Sequence, residues 1–250
     1  MGLRHRGLRA RPRSYDDVLR LSSFVLLLLR ASISPCRTCG PAVGSSVDVT
    51  GLVAAAKDRQ EPDAPPPPTP PGTGRPFTGA VFIAASLDGY IARLDGRIDW
   101  LISAAELAGD TGYEEFIASI DSVVMGRKTY EQALTFDTWP HEGRRVAVLS
   151  TGLPTGTDQR ISVHRTVAEL VETLTASGAA RVYVDGGQVI QTFLAGGLIQ
   201  ELTLTTVPVL LGSGIPLFGH LTHDLPLTHR KTTVLGAGLV QSTYTTSDSS

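Results

Sequence analysis

Cysteine is almost missing from this chain: 250 residues hold two, Cys36 and Cys39, both ahead of the stretch that reads as globular. A core drawn from residues 77–246 therefore carries no disulfide and no cysteine metal site, which fits a reducing compartment. The Cys36-x-x-Cys39 pair has no second pair to complete a zinc site. His220 and His223 lie three apart without carboxylates spaced to complete a zinc set, and Asp224 reads as a turn residue, so no metal is expected. Excess charge is missing as well. The 22 Lys and Arg against 24 Asp and Glu leave a net charge of −2, too little for a nucleic-acid footprint. Long apolar runs are absent: Phe24–Leu29 spans six residues, where a membrane helix needs roughly 20. Neither nucleic acid nor membrane is an expected partner. No Ser-His-Asp order with a strained nucleophile turn is visible.

The first 76 residues differ in character from the rest. Arg4, Arg6, Arg9, Arg11 and Arg13 crowd the start, Asp16 and Asp17 precede the short apolar run, and Arg30 ends it. That makes a poor secretory signal. An unstructured extension or a start placed too early is expected, with a cytoplasmic protein. An organelle transit peptide is the alternative. Six prolines between Pro65 and Pro71 form a stiff linker, and the domain boundary is placed just after it. Residues 247–250 are a tail.

Within 77–246, Ala80–Ser86 is a continuous apolar run, as in a strand buried on both faces. Two Asp-Gly pairs, Asp88-Gly89 and Asp95-Gly96, mark turns of a hairpin or of a loop folded over something. Helices are expected at Tyr113–Ser119, Arg127–Leu134, Val167–Ala176 and Val189–Leu194. Strands are expected at Ser122–Met125, Arg145–Ser150, Arg181–Val184, Ile199–Leu211 and Gly236–Thr245. Strands alternate with helices to about residue 198 and run as strand and loop thereafter. The order implies an α/β fold, a mostly parallel sheet with helices on its faces and a C-terminal antiparallel hairpin at one edge.

Ligands of such sheets sit at the carboxyl ends of the strands. Ser86–Asp88, Gly126–Lys128, Ser150–Thr151 and Gly186–Gln188 all fall there. At Gly126-Arg127-Lys128-Thr129, a strand opens into a helix through a glycine, two cations and a hydroxyl. At Asp185-Gly186-Gly187-Gln188-Val189 a second strand does so through two glycines. Helix starts attract anions, and two of them in one small domain suggest a phosphate-rich dinucleotide.

Taken in order, several stretches resemble the dihydrofolate reductase-like fold, and within it the reductase domain of the bifunctional riboflavin deaminase-reductase. They are Phe82–Ala92, Asp99-Trp100-Leu101, Met125–Glu131, Asp185-Gly186-Gly187 and Val207–Phe218. The zinc motif of the deaminase half is absent. The resemblance implies a three-layer fold and NADPH as hydride donor. On it, Gly126, Arg127, Lys128 and Thr129 hold cofactor phosphates, and Ser150 and Thr151 lie near the adenosine 2′-phosphate. No further arginine stands out in the sequence to enforce that phosphate. Gly186 and Gly187 let the backbone approach the pyrophosphate, with Gln188 and Val189 donating N–H groups. Ala84, Ala85 and Ile91, with Ala92, flank the nicotinamide. Asp88 is the expected substrate-facing polar anchor, Trp100 a pocket wall, and Glu114 the nearest candidate for a proton-donating carboxylate. Arg93 and Arg97 sit on the substrate loop without forming a clear phosphate cluster. The expected substrate is a small heterocycle, and a homodimer is expected through the apolar Val207–Leu211 run.

Overall fold

The computed structural model describes residues 76–246. The expectations for the Arg-rich start, the Phe24–Leu29 run, the cysteine pair, the proline linker and the last four residues lie outside them.

The backbone forms ten strands and five α-helices among the described residues. β1 (Thr78–Ser86) is followed by the short β2 (Tyr90–Ala92), then α1 (Asp99–Ala105) and α2 (Tyr113–Ala118). Next come β3 (Ser122–Gly126), α3 (Arg127–Ala133), β4 (Arg145–Leu149), β5 (Ile161–His164), α4 (Val167–Ala176), β6 (Arg181–Asp185) and α5 (Gly187–Ala195). β7 (Glu201–Val207), β8 (Ile215–Pro216), β9 (Leu227–Val234) and β10 (Val240–Thr246) complete the order. Eight strands make one sheet in the order β5-β4-β3-β6-β1-β7-β10-β9. All pairings from β5 to β7 are parallel, and β10 runs antiparallel to both β7 and β9.

Alternation of side chains across the strands divides the interior. Val124, Val182, Val184, Val81 and Leu202 face α4 and α5, packing on Leu170, Leu174, Ile190 and Phe193. Val123, Met125, Val146, Val148 and Tyr183 face α2 and α3, packing on Tyr113, Phe116, Ile117 and Tyr130. The result is helix, sheet, helix: three layers, as the resemblance implies. A third cluster joins Ile98, Leu101 and Ala105 around α1 to Val207 and Leu239.

Ile199–Leu211 is not one long strand. β7 stops at Val207 because Pro208 has no N–H for the ladder, and Val209 N–H turns back to Val207 O at 2.7 Å. The freed segment becomes a loop leading to β8, which pairs antiparallel with β2. The first Asp-Gly pair thus does not fold β2 back onto β1. The second closes a tight turn in which Arg93 N–H donates to Arg97 O at 2.8 Å.

α1, β5 and β9 were not anticipated. β9 is the instructive one. Leu-Thr-His-Arg-Lys-Thr-Thr-Val is exposed at nearly every position, so no apolar alternation announces it. His229, Arg230 and Lys231 blunt it as an edge strand.

The two rims of the sheet are built differently. At the amino rim, Asp121 accepts from Ala180 N–H (2.9 Å), Arg181 N–H (2.8 Å) and Arg145 Nη2 (3.1 Å). Arg181 pairs with Glu201 and lies 5.4 Å from the Phe116 ring centroid. These charges neutralise one another and tie strands together. The carboxyl rim has no comparable lattice of pairs among the described residues, and its strand ends are rich in glycine.

Candidate active site

The carboxyl rim brings together residues spread over a hundred positions. A Cβ on Gly186 would stand 2.5 Å from Thr129 Oγ1, and one on Gly187 would stand 2.6 Å from Ile91 Cδ1. One on Gly126 would meet Val189 Cγ2 at 3.4 Å, and one on Gly152 would meet Arg127 Nη1 at 3.5 Å. The ends of β3, β4 and β6, the start of α5 and the β2 segment therefore converge. Chain reversal makes this the natural crevice. The path runs outward from β3 to β5, returns to β6 and then passes to β7, so β6 sits at the switch point.

Two helices start here without caps. α3 begins after Gly126 and α5 after Gly186; neither has a side-chain cap or an acid in its first turn. By contrast α4 is capped, Thr166 Oγ1 accepting from Glu169 N–H at 3.2 Å. The first N–H groups of α3 and α5 are left for an anion. Gly186, at φ 92° and ψ 131°, takes a conformation that side chains resist. The missing Cβ atoms at 186 and 187 keep the backbone accessible. Arg127 and Lys128 are exposed beside it, with Arg127 3.2 Å from Glu131. This donor set fits a phosphate-linked dinucleotide. Gly126, Thr129, Gly186, Gly187 and the α5 start with Gln188 and Val189 would hold it.

Other expected residues take different places. Ala84 packs on the third cluster and Ala85 lies in the first, so they point to opposite faces of β1 and the structure does not set both against one ring. Ile91 packs over Gly187. Ser150 Oγ accepts from Gly152 and Leu153 N–H (3.3 and 3.1 Å) and shapes the loop after β4, with Thr151 exposed at its turn. Glu114 is exposed in the first turn of α2. Trp100 is partly buried against the third cluster, and its indole N–H has no hydrogen-bond partner among the described residues.

Asp88 acts as a clasp. Its carboxylate accepts from Ser86 Oγ (2.6 Å), Leu211 N–H (3.0 Å) and Gly212 N–H (2.7 Å). The Ser86 hydroxyl, then the Leu211 and Gly212 amides, hold its pKa below the usual carboxylate value against partial desolvation. Leu87 N–H donates to Val209 O and Leu217 N–H to Gly89 O, both at 2.9 Å. The Ser-Leu-Asp-Gly turn therefore fastens the 209–217 loop over the rim. Replacing Asp88 with Ala is expected to loosen that loop, raising KM for substrate about tenfold and quickening amide exchange at Leu211 and Gly212. A fall in kcat with unchanged exchange would show a direct role in the chemistry instead.

Arg93 and Arg97 are each taken by a neighbour. Arg93 pairs with both oxygens of Asp99 (2.8 and 3.0 Å), and Arg97 with Asp95 (2.6 Å). They line a shallow hollow of about 250 Å³ together with Leu94, Leu211 and Ser213.

One residue escaped the sequence reading. Asp185, the last of β6, is not among the residues to which the resemblance gives a role. Burial pushes its pKa up to about 6, against the pull of the Gly186 N–H and the Tyr183 hydroxyl. Tyr183 O–H also reaches Phe82 O at 3.2 Å. The one signal in the sequence was an acid ending an otherwise apolar strand.

Comparison with known proteins bears on the fold and the family. Residues 78–241 match the model of the RibD C-terminal domain. The uncharacterized protein YwjB of Bacillus subtilis is 33% identical over 159 residues, covering 62% of this chain and 91% of YwjB. The riboflavin biosynthesis protein RibD of Corynebacterium ammoniagenes is 28% identical over 159 residues, 57% of this chain and 46% of that protein. Among solved structures, a Shewanella sp. PV-4 protein with a provisional riboflavin-biosynthesis name superposes with a TM-score of 0.61 at 38% identity. The match covers 68% of this chain and 99% of that one. A rim of uncapped helix starts on a dihydrofolate reductase-like sheet and a family match spanning that sheet lead to one assignment: this chain belongs to the RibD C-terminal domain family.

Proposed function

We propose that the chain is an NADPH-dependent reductase of a small heterocyclic or ribosylamino-pyrimidine-like substrate, working in the cytoplasm. The observation that carries this reading is the convergence of Gly126, Thr129, Gly186 and Gly187 at two uncapped helix starts. When bound, NADPH supplies the hydride. The chain's own work is to hold the phosphates, exclude water and manage a proton. Asp185 suits the last task, because a carboxyl whose pKa is raised to about 6 can take up and give back a proton much nearer neutral pH than an ordinary carboxylate. The 209–217 loop, clasped by Asp88, covers the substrate side. Within the same proposal, reduction of 5-amino-6-(5-phosphoribosylamino)uracil is the narrower substrate assignment, favoured by the family. The expected dimer also belongs here: Leu210, 69% exposed, is an apolar residue of the Val207–Leu211 run open to a second copy.

Titration of the purified protein with NADPH, followed by intrinsic fluorescence, tests the premise, and dissociation in the micromolar range is expected. Arg127→Ala should weaken it tenfold to a hundredfold by removing a charge-assisted bond to phosphate, worth about 1–3 kcal/mol. A panel of pterins, folates and aminouracils then tests turnover. NADPH binding with no member reduced would leave a dinucleotide-binding protein without turnover; no binding at all would end the reading.

A further inference from the structure

The charges on the substrate side of the site cancel within one turn. The chain after β2 carries Arg93 and Arg97, and a carboxylate of the same stretch matches each. Arg93 Nε and Nη2 donate to the two oxygens of Asp99 at 2.8 and 3.0 Å. Asp95 accepts twice from Arg97, from its main-chain N–H at 3.0 Å and from Nε at 2.6 Å. Arg93 N–H to Arg97 O (2.8 Å) and Gly96 N–H to Arg93 O (2.9 Å) close the turn and keep the four side chains together. The turn is seated against the clasped loop: a Cβ on Gly214 would stand 2.4 Å from Ala92 O, so only glycine lets the two backbones meet. Leu211 and Ser213 of that loop share the shallow hollow with both arginines.

Pairs this exposed add little stability; their effect is to cancel charge. The Arg93 guanidinium holds the Asp99 carboxyl below the usual carboxylate range, so both partners are ionised at neutral pH. Asp88, bound to the Leu211 and Gly212 amides, adds a third carboxylate beside the two arginines. The other Arg and Lys side chains of the described residues stand elsewhere. Arg144, Arg145, Arg160 and Arg181 precede or open β4, β5 and β6, on the amino rim. Arg230 and Lys231 lie along the edge strand β9, with Arg230 Nε donating to Thr245 Oγ1 at 2.9 Å. Arg127, Lys128 and Arg165 follow β3 and β5, across the β6 switch point from β1. A phosphomonoester carries about −1.5 to −2 at neutral pH and leaves water only for cations that are not already matched. Beyond β1 and β7 it meets a surplus of carboxylates instead.

We infer that this chain reduces a heterocycle that carries no phosphate group, and that it disfavours the phosphorylated form of the same compound. Asp95 and Asp99 are the specificity device, since they cancel the two charges that would attract a phosphate and repel it in their own right. The inference rests on the reductase reading above and decides, within it, against the phosphorylated aminouracil that the family favours.

Matched pairs of compounds test it on the full chain with NADPH: 5-amino-6-ribosylaminouracil and its 5′-phosphate, and 7,8-dihydroneopterin and its phosphate. The unphosphorylated member of a pair is expected to have the higher kcat/KM, by tenfold or more. Where no pair is reduced, displacement binding to the NADP+-loaded protein reads the same ratio. Asp95→Asn combined with Asp99→Asn frees both guanidiniums and should shift the ratio at least tenfold toward the phosphorylated member. Arg93→Gln should move it less than threefold, because Arg93 holds no phosphate. If the double variant does not fold, the wild-type ratio and Arg93→Gln decide. A wild type that handles the phosphorylated member as well or better would overturn the inference and leave the reductase reading standing. An unshifted ratio in a folded double variant would overturn it too, as would a tenfold loss in Arg93→Gln confined to the phosphorylated member. Wild-type protein that binds NADPH but neither member of either pair would also overturn it; protein that binds no NADPH would remove the reductase reading with it.

Discussion

Gly186→Ala is expected to reduce NADPH affinity at least a hundredfold and to destabilise the fold by about 2–4 kcal/mol. Two independent penalties meet at this position. The residue sits at φ 92° and ψ 131°, where a side chain costs of order 1–3 kcal/mol in backbone strain. The new methyl carbon would also lie 2.5 Å from Thr129 Oγ1, well inside contact distance, so Thr129 or the β6–α5 turn must move. Either movement tilts the first N–H groups of α5 away from the phosphates they are proposed to bind. Urea denaturation gives the stability change, and fluorescence titration the affinity. Thr129→Ser, which removes a methyl and keeps the hydroxyl, should rescue little, because the close atom is the oxygen. If Gly186→Ala binds NADPH as the wild type does, the α5 start is not a phosphate site.

Asp185→Asn is expected to lower kcat a hundredfold to a thousandfold with NADPH affinity unchanged, which is the usual range for loss of a positioned proton donor. The wild-type rate should be highest below pH 6 and fall about tenfold per pH unit above it, since the protonated carboxyl is the active form. The variant should lose that slope. Stability supplies a second readout of the same group. A folded pKa of about 6 against an unfolded value near 3.9 means that the native state binds the proton more tightly. The associated stability is present below pH 4 and is lost as pH rises to 6, by about 3 kcal/mol at most. Asparagine cannot ionise, so the variant should be more stable than the wild type at pH 8 and close to it at pH 4. A kcat loss without the stability crossover would mean that Asp185 is not buried as a carboxylic acid.

Burial on one face and burial on both leave different marks in a sequence. Apolar runs such as Ala80–Ser86 and Ser122–Met125 declare buried parallel strands because both of their faces are covered. The Leu170 and Leu174 spacing declares α4 because only one of its faces is. The polar β9 declares nothing, since its pairing partner rather than burial makes it a strand. Pro208 ends β7, and the apolar residues that follow it hide that stop in the sequence.

For the site, what the sequence determined by itself was local: a Gly-Arg-Lys-Thr turn and an Asp-Gly-Gly turn must each open a helix at a strand end, because backbone freedom and helix starts are properties of neighbours in the chain. Everything that depends on residues far apart belongs to the packed fold. It turned Asp88 toward the amides of Leu211 and Gly212, buried Asp185 enough to raise its pKa, and laid Arg165 across the Ser150–Leu153 loop. Desolvation and charge pairing are set by what surrounds a group in space, and no spacing along the chain specifies those surroundings.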